Sequence, residues 1–198
     1  MHAIAILAAL AAPVAYAQSE AGEPGYNCMP TCIESTVPAN ETLSFGKHYA
    51  VLNLDYINGI AGGLANTTAG EAWLANTANW IDAVHAQDPP PLSIYTRIYY
   101  SASTKPEIGP NSPFAKVGGA FGTSDDPLTE LYPVVQDRVD EDLNDVVIAK
   151  TRFYAGANSP LEGILRAQEI DTVILSGIRA SGVILATVYR LFDLDYNV

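Results

Sequence analysis

Three stretches put a chemically competent side chain directly after an apolar run: "AVLNLD" ending at Asp55, "DVVIAK" ending at Lys150, and "VILSGIRASGV" from Val173 to Val183. A carboxyl group and an ammonium group brought together can move a proton on a substrate and stabilise charge that develops there. The third stretch reads as a strand, a sharp turn at Gly177 and a helix from about Ala180. Elbows of this kind often carry a nucleophile. Here the first helical turn offers Ser181, Gly182 and Val183, and no cysteine. Singly, each feature has a bland reading. Asp55 can cap a turn, Lys150 can be a solvated charge at a strand end, and the elbow can be a packing joint. They gain weight only if the chain folds so as to bring them together.

The elements that would position them are legible. "YAVLNL" (49–54), "SIYTRIYY" (93–100), "DVVIA" (145–149) and "DTVILS" (171–176) are short continuous apolar runs and read as buried strands. Residues 71–86 read as a helix with Trp73, Trp80, Ile81 and Val84 on one stripe, a core face rather than a ligand platform. "DPPP" (88–91) stops it, since proline cannot continue a helix. Residues 101–144 read as a long excursion with one short helix, and "GGAFG" (118–122) within it as a flexible loop rather than a phosphate cradle. "SPLEGILRAQEI" (159–170) predicts a helix with a capping box, Ser159 at the N-cap, Pro160 at N1 and Glu162 at N3. After the elbow, Ile184, Val188 and Leu191 recur at helical spacing, and "DYNV" (195–198) reads as the start of a fifth strand. Strands alternating with helices predict an α/β fold whose parallel sheet is covered on both faces. Ligands of such sheets bind beyond the carboxyl ends of the strands. Asp55, Lys150 and the Gly177–Val183 elbow all fall at that edge.

Composition bounds the rest. The 198 residues are enough for one domain with a substantial core, and 48% are hydrophobic, as expected of a globular chain. The formal charge of −12 argues against nucleic acid, whose binding depends on Lys and Arg neutralising phosphates. Residues 1–17 read as a secretory signal: an apolar run from Ala3 to Ala12, then "AYA" ending at Ala17. The expectation is a secreted protein with no membrane attachment after cleavage, an irregular extension over residues 18–47 and one domain over 48–198. Cys28 and Cys32, in "CMPTC", read as a local disulfide rather than a metal site, because His48 and His85 are scattered; no metal and no cofactor are expected. Asn40 in "NET" and Asn66 in "NTT" match the glycosylation acceptor pattern.

Those residues also carry a family likeness. "AVLNLDYINGI" resembles the opening strand of isochorismatase-like hydrolases, where an aspartate closes a strand and an asparagine follows three residues on; Asp55 and Asn58 match. Residues 146–198 resemble the family's second half: a lysine closing a strand (Lys150), an arginine two residues later (Arg152), a capped helix, a strand and the elbow. The resemblance implies a three-layer, Rossmann-like sandwich over about residues 48–198. Family members continue past the last strand, so it also implies a domain that is either naturally short or truncated at its C-terminus. In the cysteine-hydrolase branch the catalytic set is aspartate, lysine and cysteine. Asp55 and Lys150 match the first two, and the nucleophile position falls on Val183, which has no nucleophilic atom. The resemblance further implies a cis peptide at Ile178–Arg179 and oxyanion-binding amides at Arg179 and Val183. It puts Asn58 and Arg152 near the substrate. Arg179 replaces a small residue, making the entrance more basic and tighter. Gly156 replaces a phenylalanine, opening the pocket on that side.

Three functions follow from this reading. The leading one is a hydrolase that acts on a small carbonyl, amide or enol-ether compound without a cysteine, using Asp55 as acid/base and Lys150 as its electrostatic partner. The second is a secreted pseudoenzyme that binds a small molecule or serves as a scaffold without turnover. The third is an amidase with another nucleophile, for which Ser181 would need a different aim. The partner in each case is a small molecule, and homo-oligomerisation is left open.

Overall fold

The computed structural model describes residues 45–46 and 48–198. The signal segment, most of the extension, Cys28, Cys32 and Asn40 lie outside the described residues. Four strands, β1 (Tyr49–Leu54), β2 (Leu92–Ile98), β3 (Asp145–Lys150) and β4 (Thr172–Gly177), form one parallel sheet in the order β3-β2-β1-β4. β1 is interior, and apart from Tyr49 all of it is buried. That is why its sequence is a continuous apolar run.

Helices cover both faces. Even-numbered residues of the central strands, Ala50, Leu52, Leu92 and Ile94, pack in one cluster with Leu161 and Leu165 of α5 (Leu161–Ala167) and Leu191 of α6 (Leu185–Phe192). On the other face Tyr95 packs with Ile57, with Ile81 of α2 (Thr68–His85) and with Val135 of α4 (Pro133–Gln136). Trp73 and Trp80 are only partly buried against this cluster, and the fully buried stripe of α2 is Leu74, Thr77, Ala78, Ile81 and Val84. α1 (Asn58–Ala65) directly follows the turn at Asp55. α2 begins three residues before the predicted start, because Thr67 caps it by accepting the Gly70 N–H at 3.0 Å. Asn66 is exposed in the turn between α1 and α2.

Several local expectations are corrected. The 101–144 segment holds two short helices, α3 (Ala115–Gly118) and α4, and two 3₁₀ turns, rather than one helix. The capping box before α5 does not form. The Ser159 hydroxyl accepts the Leu161 N–H, and the Glu162 carboxylate instead accepts from Tyr154 and pairs with Arg166 and Arg190. After the elbow, Ala180–Ile184 forms a π-turn, which is wider than an α-turn. The buried stripe there is Val183, Thr187 and Leu191 rather than Ile184, Val188 and Leu191. The "DYNV" segment makes one parallel bridge, Asn197 to Thr172, and no strand.

Candidate active site

The strand order places the site. The chain steps from β1 outward through β2 to β3, then returns to lay β4 on the other side of β1. The reversal falls between β1 and β4, and crevices open at such switch points, beyond the carboxyl ends of the strands. Asp55 leaves the end of β1 and the elbow leaves the end of β4.

Gly177 makes the close approach possible. It pairs with Leu54 at φ +148°, and a Cβ there would run into the Leu54 carbonyl oxygen. With no side chain in the way, the Ile178 N–H donates to that same oxygen at 3.0 Å. Asp55 itself sits at φ +60°, in the left-handed region that aspartate tolerates better than most residues. This turn lets its N–H donate to Thr96 Oγ1 at 3.0 Å, while the Thr96 hydroxyl donates back to Asp55 Oδ1 at 2.7 Å. Thr96 is the register partner of Leu54 on β2. It was missed in the sequence, where a threonine inside an apolar strand carries no signal of its own.

Lys150 ends β3, two strands from β1, and its side chain reaches past the end of β2 to place Nζ 2.7 Å from Asp55 Oδ2. The lysine side chain is fully buried. Its other donors go to the carbonyls of Arg152 at 2.8 Å and Phe153 at 3.3 Å. So all three ammonium hydrogens have acceptors, which a buried ammonium requires. Burial pushes the Asp55 carboxyl above its ordinary range, and the Lys150 charge and the hydrogen bonds from Lys150 and Thr96 hold it back.

The pair faces a cavity of about 350 Å³. Its walls are largely apolar: Ile60, Ile98, Phe114, Phe121, Phe153 and Val183 among others. Arg179 and Ser181 line it from the elbow, and Gly118 and Phe121 bring the "GGAFG" stretch into the wall. The aromatic lining was not anticipated. Phe114 and Phe121 belong to the long excursion, where spacing has no period to read. The Ile178–Arg179 peptide is cis, as the resemblance implied.

Other expected site residues are placed elsewhere. The Asn58 side chain donates to the Pro127 carbonyl at 2.9 Å and ties α1 to the 3₁₀ turn Pro127–Thr129 of the long excursion. Arg152 donates to the carbonyls of Thr151 and Glu107 and stacks over Phe114 at 4.9 Å. Neither lines the cavity; Arg152 backs one of its walls. Gly156 does not open the pocket either, because the Tyr154 ring lies against it. Among the described residues no cluster of metal-binding side chains occurs.

Comparison with known proteins agrees with this fold. Residues 49–198 match the isochorismatase domain. No curated protein sequence matches significantly. Among solved structures, N-carbamoylsarcosine amidase from Thermoplasma acidophilum is similar at 20% identity and a TM-score of 0.60, with 76% of this chain and 79% of that chain covered. Pyrazinamidase/nicotinamidase from Streptococcus mutans is similar at 18% identity and a TM-score of 0.61, covering 75% and 81%. An isochorismatase family protein from Burkholderia thailandensis is similar at 23% identity and a TM-score of 0.59, covering 79% and 77%.

Proposed function

The chain belongs to the isochorismatase domain family, and from that premise we propose that it is a hydrolase of a small carbonyl, amide or enol-ether compound that works without a cysteine nucleophile. One observation carries the reading: the buried Asp55–Lys150 pair, 2.7 Å apart, facing the apolar cavity. Asp55 is the acid/base. Burial favours its protonated form, which is what proton donation to a weakly basic carbon or oxygen needs. With an enol ether, Asp55 gives its proton to the terminal carbon, and the positive charge spreads onto the ether oxygen. Water adds to the cationic carbon and returns a proton to Asp55, and the resulting hemiketal loses the alcohol. Lys150 stabilises the carboxylate while the proton is away.

Val183 supports the cysteine-free route. It is buried, lines the cavity, and occupies the place that the resemblance gives to the nucleophile. The same residue favours a second reading, a pseudoenzyme that binds a small molecule, or acts as a scaffold, without turnover. Assays of purified protein on isochorismate and on simple amides separate the two. Hydrolysis that disappears in Asp55→Asn supports the enzyme. Ligand binding with no turnover of any such compound supports the binding protein, and an unchanged rate in Asp55→Asn removes Asp55 from the chemistry.

A further inference from the structure

The cavity contains three charged residues, Asp55, Lys150 and Arg179. The first two are bonded to each other at 2.7 Å, and the remaining Lys150 donors go to the Arg152 and Phe153 carbonyls, so among the described residues Arg179 is the cavity cation with donors left for a ligand. Its situation differs from that of every other arginine in the chain. Arg97 donates to the carbonyls of Ser124 and Thr129, and Arg152 to those of Thr151 and Glu107. Arg138 pairs with Asp82, while Arg166 and Arg190 pair with Glu162. Arg179 is exposed at the cavity and has neither an ion pair nor a hydrogen-bonded acceptor among the described residues. Lys116, a cation likewise without an ion pair, does not line the cavity. The chain carries 22 acidic residues, yet among the described ones none forms an ion pair with this guanidinium. Ser181, two residues on, lines the same wall and offers a hydroxyl.

We infer that the Arg179 side chain is a specificity determinant that receives a carboxylate of the substrate, while a flat apolar body lies against Phe114, Phe121 and Phe153 and the reacting atoms face Asp55. A planar guanidinium matches a carboxylate with two parallel hydrogen bonds, and the apolar walls strengthen the attraction. The other candidate cation, Lys150, has no donor left for a ligand. This assignment rests on the cavity being the substrate site, as the proposed function holds, but it is read by binding rather than by turnover.

The test uses two matched probe pairs, benzoate with benzamide and trans-cinnamate with cinnamamide, titrated calorimetrically into the purified protein. The expected result is a preference of about tenfold or more for the carboxylate in at least one pair, the worth of one charge-assisted hydrogen bond. Arg179→Gln should abolish that preference, and Arg179→Lys should keep part of it because the charge remains and the fork is lost. Arg179 is exposed, so thermal melts should show both variants folded. Equal affinity within both pairs, no binding of either carboxylate, or a preference retained in Arg179→Gln would overturn the assignment. An Asp55→Asn variant that keeps full turnover would sink the proposed mechanism while leaving this binding result intact.

Discussion

At the scale of single residues, the decisive feature is a buried ion pair whose members are fully engaged yet face a cavity. Removing one partner leaves the other charge buried and alone, which typically costs about 3–5 kcal/mol. Lys150→Met is therefore expected to destabilise the fold, but less than Lys150→Ala, because methionine refills most of the space. Its effect on Asp55 has a definite sign. Lys150 is the largest influence holding the raised Asp55 pKa down, so without it burial acts with less opposition and the pKa rises further. If Asp55 works as an acid, the alkaline limb of kcat against pH moves to higher pH in Lys150→Met; a limb that stays or moves down contradicts the role. Asp55→Asn should cut turnover by at least about 10²-fold, the usual contribution of a positioned acid/base. Val183 makes the complementary test. Val183→Cys places a thiol in the cavity wall that Arg179 also lines, where the positive charge of the guanidinium lowers a thiol pKa. Faster alkylation than an unstructured thiol, with weak amidase or esterase turnover, is expected. An inert, well-folded variant favours the binding-protein reading. In the unmutated protein, activity should survive alkylation, since Cys28 and Cys32 precede the first core strand; loss of activity would put a thiol in the chemistry.

At the scale of elements, the strands were legible and the excursions were not. β1 and β3 are apolar runs that end in a charged or polar break, and their boundaries match the sequence reading to within a residue. The parallel sheet then brings Asp55, Lys150 and the elbow to one edge, as their strand-end positions indicated. The signal failed where a side chain's partner is set by tertiary contacts. Glu162 has the right spacing for a capping box, but Tyr154 and two arginines compete for it. Asn58 and Arg152 stand at family positions, yet backbone carbonyls take their donors. Phe114 and Phe121 come from a segment without periodicity, so nothing in their spacing pointed to the cavity. The joint between β1 and β4 gives the sharpest element-scale test. Gly177→Ala puts a methyl group against the Leu54 carbonyl at φ +148°. Backbone atoms cannot swing aside as a side chain can, so β4 must shift away from β1. The expected loss is at least ~2 kcal/mol of stability, read by denaturant unfolding. It should be accompanied by lower turnover, because the shifted strand is the one that carries the elbow residues Arg179 to Val183 into the cavity wall. A Gly177→Ala protein as stable as the parent would mean the elbow has more slack than this geometry allows.

At the scale of the whole molecule, charge and burial together set how stability responds to pH. The chain carries 22 acidic and 10 basic residues, so at neutral pH it repels itself. Asp55 acts in the same direction. Its folded pKa is raised, so the folded state holds that proton more tightly than the unfolded chain does. The stability from this is complete below the unfolded carboxylate value and is lost as pH rises through the folded one. Glu162 acts oppositely. The Tyr154 hydrogen bond above all, with help from Arg190 and Arg166, holds its carboxyl below the ordinary range. Its contribution is present above the unfolded value and is lost as pH falls through the folded one. Because Glu162 is partly exposed, that contribution is small. Because self-repulsion among the negative charges grows with pH, the melting temperature is expected to be higher at about pH 5.5 than at about pH 8, and to fall again in stronger acid as carboxylates such as Glu162 protonate. Calorimetric scans across this range check it. Salt at about 1 M shortens the Debye length to a few ångströms and should raise the melting temperature more at the alkaline end than at the acid end, since self-repulsion is greater there. Glu162→Gln should soften the acid limb only slightly and leave the alkaline limb in place. A melting temperature that climbs steadily from pH 5.5 to 8 would show that self-repulsion does not govern stability in this range.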